Sequence, residues 1–272
     1  MGSRRRQYGG SARGLGGIEP AFDGSSLANH GVVVVTISYR LGLSGFMARP
    51  ELSNESPHHV SGNYGLLDIL AALHWVQANI ANFGGDPANV TIFGQSAGAR
   101  DIGTLLVMPA SKGLFVRAIE ESGTVAGIGS RATQTLADAE KRGVQWVAAM
   151  NAPTTGALAY MRKLPVSEIL KASPPHGQGE LGAATEGYLI PDDPAKLFSG
   201  GKESRLPLLL GSNAREQMLS GGAEALQKGI ASFYEGNRTS RAIAAYSKPS
   251  DYPPTGTRAL SLRLTTTIDA PS

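Results

Sequence analysis

Asn89-Val90-Thr91-Ile92-Phe93-Gly94-Gln95-Ser96-Ala97-Gly98 is the stretch that decides how this chain folds. Its first five residues form a short apolar, β-branched run, the composition of a strand buried in a parallel sheet. The next five fit Gly-x-Ser-x-Gly, and the stretch 96–107 that follows is helical in composition. The glycines at 94 and 98 remove side chains where strand and helix approach each other. Ser96 can then hold a strained conformation with its hydroxyl lifted above the sheet edge. The helix behind it aims its first amides and its dipole at the charge that forms when an acyl carbonyl is attacked. A competing reading makes Ser96 an ordinary helix cap. The buried strand directly ahead of the motif favours the sharp elbow.

Outward from that elbow, residues 31–39 (Gly-Val-Val-Val-Val-Thr-Ile-Ser-Tyr) read as a strand buried on both faces. Leu66, Leu70, Leu73 and Ile80 recur at mixed three- and four-residue intervals, which predicts an amphipathic helix over 66–80 that ends near Gly84-Gly85. Residues 115–119 and 206–211 read as further strands, the latter with Pro207 near its start, and 131–150 as a helix. Residues 151–186 are loop-rich with weak helices. Strand alternating with helix is the signature of an α/β fold, here a mostly parallel central sheet flanked by helices and joined by right-handed crossovers. The expected organisation is a single partial domain over 1–272, with the fold of its tail, 247–272, left open.

Composition narrows the function. Among 272 residues, 41% are hydrophobic and 35 are glycine, enough for a core with many tight turns. The net charge of +3 comes from 25 basic against 22 acidic residues, and part of it lies in Arg4-Arg5-Arg6, which reads as a solvated, frayed end. With 6% aromatics and no basic stripe among them, nothing points to nucleic acid. The absence of cysteine excludes disulfides, thiolate catalysis and cysteine metal sites. No apolar run approaches the roughly 18 residues of a membrane span, and residues 1–17 lack a signal-peptide apolar region. The chain reads as soluble, with its compartment left open.

A second glycine cluster, Tyr8-Gly9-Gly10-Ser11-Ala12, lies upstream of the 31–39 strand. Together with Ala21-Phe22-Asp23-Gly24, Val34-Val35-Thr36-Ile37-Ser38-Tyr39-Arg40-Leu41-Gly42, Gly62-Asn63-Tyr64-Gly65-Leu66-Leu67-Asp68, Trp75-Val76-Gln77-Ala78-Asn79-Ile80, Phe83-Gly84-Gly85-Asp86-Pro87 and Ser122-Gly123, it resembles the text of the type B carboxylesterase and cholinesterase family. The resemblance is strong from about 8 to 123, looser through Ile190-Pro191 and 208–216, and lost beyond about Tyr246. It implies an α/β-hydrolase fold and a lipase-like serine esterase chemistry on a small-molecule carboxylic ester. Ser96 would be the nucleophile in the elbow of Gly94, Gln95 and Gly98. The backbone amides of Gly10, Ser11 and Ala97 would form the oxyanion hole, and Glu216 in Gly211-Ser212-Asn213-Ala214-Arg215-Glu216-Gln217 would be the triad acid, although Arg215 and Gln217 depart from the family's pattern there. No metal and no organic cofactor is implied.

The imidazole of such a triad follows the acid in chain order. All five histidines, His30, His58, His59, His74 and His176, precede Glu216. Two readings follow: an esterase that forms an acyl-enzyme on Ser96, or a catalytically impaired hydrolase-like fragment or binding module. The family's chains are about twice as long as this one. The expectation is therefore a chain truncated at both ends, without the strands ahead of the oxyanion loop, whose exposed sheet edges would favour self-association.

Overall fold

The computed structural model describes residues 2–7, 23–125, 134–171, 182–212, 217–220, 227–228, 240–241 and 257–260, with backbone alone at 2–7, 170, 217–220 and 257–260. In chain order the elements are β1 (Gly2–Gln7), α1 (Ser25–Ala28), β2 (Val33–Thr36), α2 (Gly42–Phe46), α3 (Pro50–Glu55), α4 (Tyr64–Asn79), β3 (Asp86–Gln95), α5 (Ala97–Val107), β4 (Arg117–Glu121), β5 (Gln134–Thr135), α6 (Leu136–Ala149), α7 (Ala157–Met161), α8 (Val166–Lys171), β6 (Ala184–Thr185), α9 (Pro194–Ser199), β7 (Leu208–Gly211), β8 (Gln217–Ser220) and β9 (Thr257–Leu260). They fall into two compact units, residues 1–125 with 131–209, and residues 126–130 with 210–272.

The first unit is built on a five-stranded sheet in the order β2-β1-β3-β4-β7, in which β1 to β4 pair in parallel. Three expectations are corrected here. Arg4, Arg5 and Arg6 are not a frayed end: their backbone pairs with Val34, Val35 and Thr36 on one side and with Thr91, Ile92 and Phe93 on the other. A strand therefore does precede the first glycine loop. A ladder binds main-chain donors and acceptors, so two flanking strands can recruit a segment whose side-chain composition gives no strand signal. Likewise β2 is shorter than 31–39 and lies at the end of the sheet with all four residues half-buried, rather than covered on both faces.

The expected helix at 66–80 is α4, which begins two residues earlier, at Tyr64, and ends one earlier, at Asn79. Leu66, Ile69, Leu70, Leu73 and Val76 are buried under the sheet, and left-handed Gly84 ends the short 3₁₀ turn that follows. Burial of each such leucine or isoleucine is worth roughly 1.5–3 kcal/mol. Asp68 accepts from the backbone N–H, Nε and Nη2 of Arg40, which ties α4 to the chain leaving β2. Buried Asn63 joins the start of α4 to β6: its Nδ2 donates to the Ala184 carbonyl at 2.8 Å, and its Oδ1 accepts from the Ala184 N–H at 2.9 Å. Helix α6 opens at Leu136 rather than 131, because Thr135 Oγ1 accepts from the Asp138 N–H and caps it. It packs on the backbone so closely that a Cβ at Gly143 would stand 1.9 Å from the Ala48 oxygen.

Strand β3 is buried from Val90 to Gly94, and α5 is buried at every residue except Arg100 and Asp101. Strand β4 sits two residues later than expected and runs on through Glu120 and Glu121. In the second unit, β8 pairs with β9 in antiparallel register from Gln217↔Leu260 to Ser220↔Thr257. No helix among the described residues is long and apolar enough to cross a membrane.

Candidate active site

Ser96 occupies the single residue between the end of β3 and the start of α5, at φ 55° and ψ −112°. An N-cap residue takes extended dihedrals and lends its side-chain oxygen to the helix. Ser96 does neither, because its side chain caps no amide of α5. A non-glycine residue at positive φ costs of order 1–3 kcal/mol and persists only where neighbours hold it. Here its N–H donates to the Glu121 carbonyl at 2.8 Å, and its carbonyl accepts the first helical bond from the Arg100 N–H at 3.1 Å. The β3–β4 register, Gly94↔Glu120 and Gln95↔Glu121, brings Glu121 to that point.

The turn after β4 closes in from the other side. A Cβ at Gly123 would lie 2.4 Å from the Ser96 oxygen, so only glycine fits against the elbow. Gly94, Ala97 and Gly98 are buried, Gln95 is exposed and Ser96 is half-buried. The amides of Ala97, Gly98 and Ala99 precede the first intrahelical bond and are the orphan donors of the helix start. The arrangement therefore sets a half-buried serine, its side chain not used as a helix cap, beside main-chain donors and the positive end of an eleven-residue helix.

Of the other sequence-predicted site residues, Gly10, Ser11 and Glu216 lie outside the described residues, as does His176. His30, His58, His59 and His74 are all exposed. The ring of His58 stacks on Tyr188 with centroids 3.8 Å apart, beside a cavity of about 360 Å³ that Leu52, Tyr64, Leu67 and Arg162 help to line and Ser96 does not. Among the described residues no group of three or more His, Cys, Asp or Glu could hold a metal ion.

The structure adds two carboxyls that the sequence reading passed over. Glu120 is 2% exposed, and burial alone pushes its carboxyl up to about 8. The signal for it was present: alternation along a strand puts residue 120 on the face of buried Ala118. Asp101 is also raised, to about 7, by burial, against the opposing effects of the Tyr39 hydroxyl, which donates to its Oδ2 at 2.7 Å, and of the Arg100 charge. That pair joins residues 62 positions apart.

The profile of the Carboxylesterase family matches residues 8–266. The chain is 43% identical over 209 residues to the fumonisin B1 esterase of Sphingopyxis macrogoltabida, covering 77% of this chain and 38% of that protein. It is 40% identical over 212 residues to the para-nitrobenzyl esterase of Bacillus subtilis (strain 168), covering 75% and 41%. It thus spans about two fifths of the length of these relatives. Among solved structures, the Geobacillus stearothermophilus carboxylesterase EST55 at pH 6.2 superposes with a TM-score of 0.76 at 30% identity, covering 93% of this chain and 54% of that one. With its parallel sheet, the serine elbow at the end of β3 and a family profile spanning nearly all of its length, the chain belongs to the carboxylesterase family and has an α/β-hydrolase fold.

Proposed function

We propose that this chain carries the nucleophile of a serine carboxylic-ester hydrolase, with Ser96 as the residue that becomes acylated. The observation that carries the proposal is the backbone of Ser96, held at positive φ with its side chain spared from capping. Such strain is retained where a function uses the side chain it positions. In acylation the Ser96 Oγ–carbonyl carbon bond forms, the bond to the alcohol oxygen breaks, and the Ser96 proton leaves with the alcohol. Water then adds to the same carbon, the acid is released and the serine regains its proton. The tetrahedral oxyanion of each step is held by the amide of Ala97 and, as the resemblance implies, by those of Gly10 and Ser11, with Glu216 as the triad acid. The names of the relatives, fumonisin B1 esterase and para-nitrobenzyl esterase, support small-molecule esters as substrates.

A second reading, a hydrolase-like fragment or binding module without turnover, is favoured by the order of the histidines, all of which precede Glu216. The first experiment is labelling by an alkyl fluorophosphonate, alongside hydrolysis of p-nitrophenyl acetate. The expected result is modification confined to Ser96 and absent from Ser96→Ala. A burst of p-nitrophenol without steady turnover would favour the second reading. If wild type does neither, or if Ser96→Ala does both as well as wild type, the esterase reading fails.

Self-association through the sheet edges belongs to the same proposal. Among the described residues β7 is the last strand of the sheet and its Leu209 is 64% exposed, and a sheet edge beside apolar surface invites pairing. Sedimentation velocity over a concentration series should show mass rising with concentration. A single monomeric species at every concentration counts against it.

A further inference from the structure

Helix α5 shows only two residues that are not buried, Arg100 and Asp101. The carboxylate beside the arginine is already committed. Asp101 accepts the Tyr39 hydroxyl at 2.7 Å, and burial raises it to about 7, so near neutral pH it carries only part of a charge. Its interaction with Arg100 is a field across space and not an ion pair within 4 Å. The Arg100 guanidinium has no hydrogen bond or salt bridge to any described residue; only its backbone is engaged, through the N–H to Ser96 and the carbonyl to Thr104 Oγ1. Arginine cannot shed its charge by deprotonation, and a half-buried guanidinium without a counter-ion is an open demand for an anion.

Direction comes from helix geometry. Arg100 follows Ser96 by four residues and its N–H donates to the Ser96 carbonyl, so it stands one turn into the helix that the elbow opens. Cα–Cβ bonds lean toward the helix N-terminus, so a long side chain covers the turn ahead of its own Cα. For Arg100 that turn is the elbow. An anion held there would lie beside a molecule bound at Ser96, and only the acyl half of an ester stays bonded to Ser96 through both chemical steps.

We infer that Arg100 is a specificity-determining residue, selecting esters whose acyl half carries a second, free carboxylate, that is, half-esters of dicarboxylic acids. Guanidinium and carboxylate match as a two-point, charge-assisted pair, stronger than a neutral hydrogen bond. The inference rests on Ser96 being the nucleophile, so its test reads the serine and the arginine separately and needs no turnover.

The test uses two fluorophosphonates on the full chain, one with a plain alkyl group and one of matched length ending in a carboxylate. Wild type should label faster with the acidic probe by roughly ten- to a hundredfold, the worth of one hydrogen-bonded charge pair. Raised salt should shrink that preference. Arg100→Gln should abolish the preference, and Arg100→Lys should restore part of it, which a loss of folding could not do. Equal labelling of wild type by both probes, or a preference that survives Arg100→Gln, overturns the inference and leaves the esterase reading standing. Failure of both probes on wild type removes the nucleophile itself, and the inference falls with it.

Discussion

Gly123→Ala is expected to slow fluorophosphonate labelling of Ser96 by about a hundredfold or more, without touching any group that contacts the probe. The new Cβ would stand 2.4 Å from the Ser96 oxygen, 3.1 Å from its carbonyl carbon and 3.0 Å from the Ala99 Cβ. The first two are backbone atoms, which cannot rotate aside as a flexible side chain could. Either the 122–124 turn retreats from β3, stretching the Ser96 N–H bond to Glu121, or the elbow itself shifts. In both cases the positive φ of Ser96 loses the neighbours that hold it. A displacement near 1 Å in a reacting group is enough for about a hundredfold loss, and the overpacking alone costs about 1–3 kcal/mol of stability. Labelling rates and thermal midpoints should therefore be measured together at a temperature where the variant remains folded. If folded Gly123→Ala labels within a factor of two of wild type, the close approach does not hold the elbow.

Which parts of this site could be read from the sequence follows from the range of the forces involved. The elbow was legible because every determinant is local: β-branched residues 90–92, the glycines at 94 and 98, and a helix beginning at once. Gly123 stood in the family text, but its reason, contact with a carbonyl 27 positions earlier, exists only in three dimensions. Arg4 to Arg6 were misjudged because strand pairing is a main-chain property, and a run of arginines advertises solvent whatever its amides do. The Tyr39–Asp101 pair was invisible for the same long-range reason, since neither residue predicts the other. Glu120 was missed by a boundary error: a strand ending at 119 leaves it in a loop, whereas one running to 121 buries it. Arg100 was passed over because its meaning lies in what fails to pair with it, and a sequence does not show that.

Glu120 supports the second large expectation, a pH-dependent weakening of the fold that Glu120→Gln removes. The carboxyl lies between β4 and α5, with Oε1 3.1 Å from where a Gly103 Cβ would be, and no described residue hydrogen-bonds it. Burial is what raises it, and among the described residues no charged side chain is near enough to compensate ionisation. In the unfolded chain it loses its proton near 4.5, and in the folded chain near 8. Below pH 4.5 both states hold the proton and the stability is at its full value. Between those values the unfolded state alone is ionised, so stability falls as pH rises, by up to about 1.4 kcal/mol per pH unit. Above about 8 the loss is complete. Relaxation and water entry reduce the total, and a fall of roughly 2–4 kcal/mol across the window is the reasonable scale. The depressed carboxylates Glu51 and Asp68 titrate below this range and leave it clear, whereas Asp101, raised in the same sense, is present in both proteins and cancels in the difference. Glutamine keeps the shape and cannot ionise. Urea midpoints of wild type and Glu120→Gln, measured from pH 5 to 8.5, should nearly coincide at the acid end and diverge steadily toward the alkaline end, with the variant the more stable. Parallel curves would place the Glu120 carboxylate in contact with water and remove its weakening of the fold.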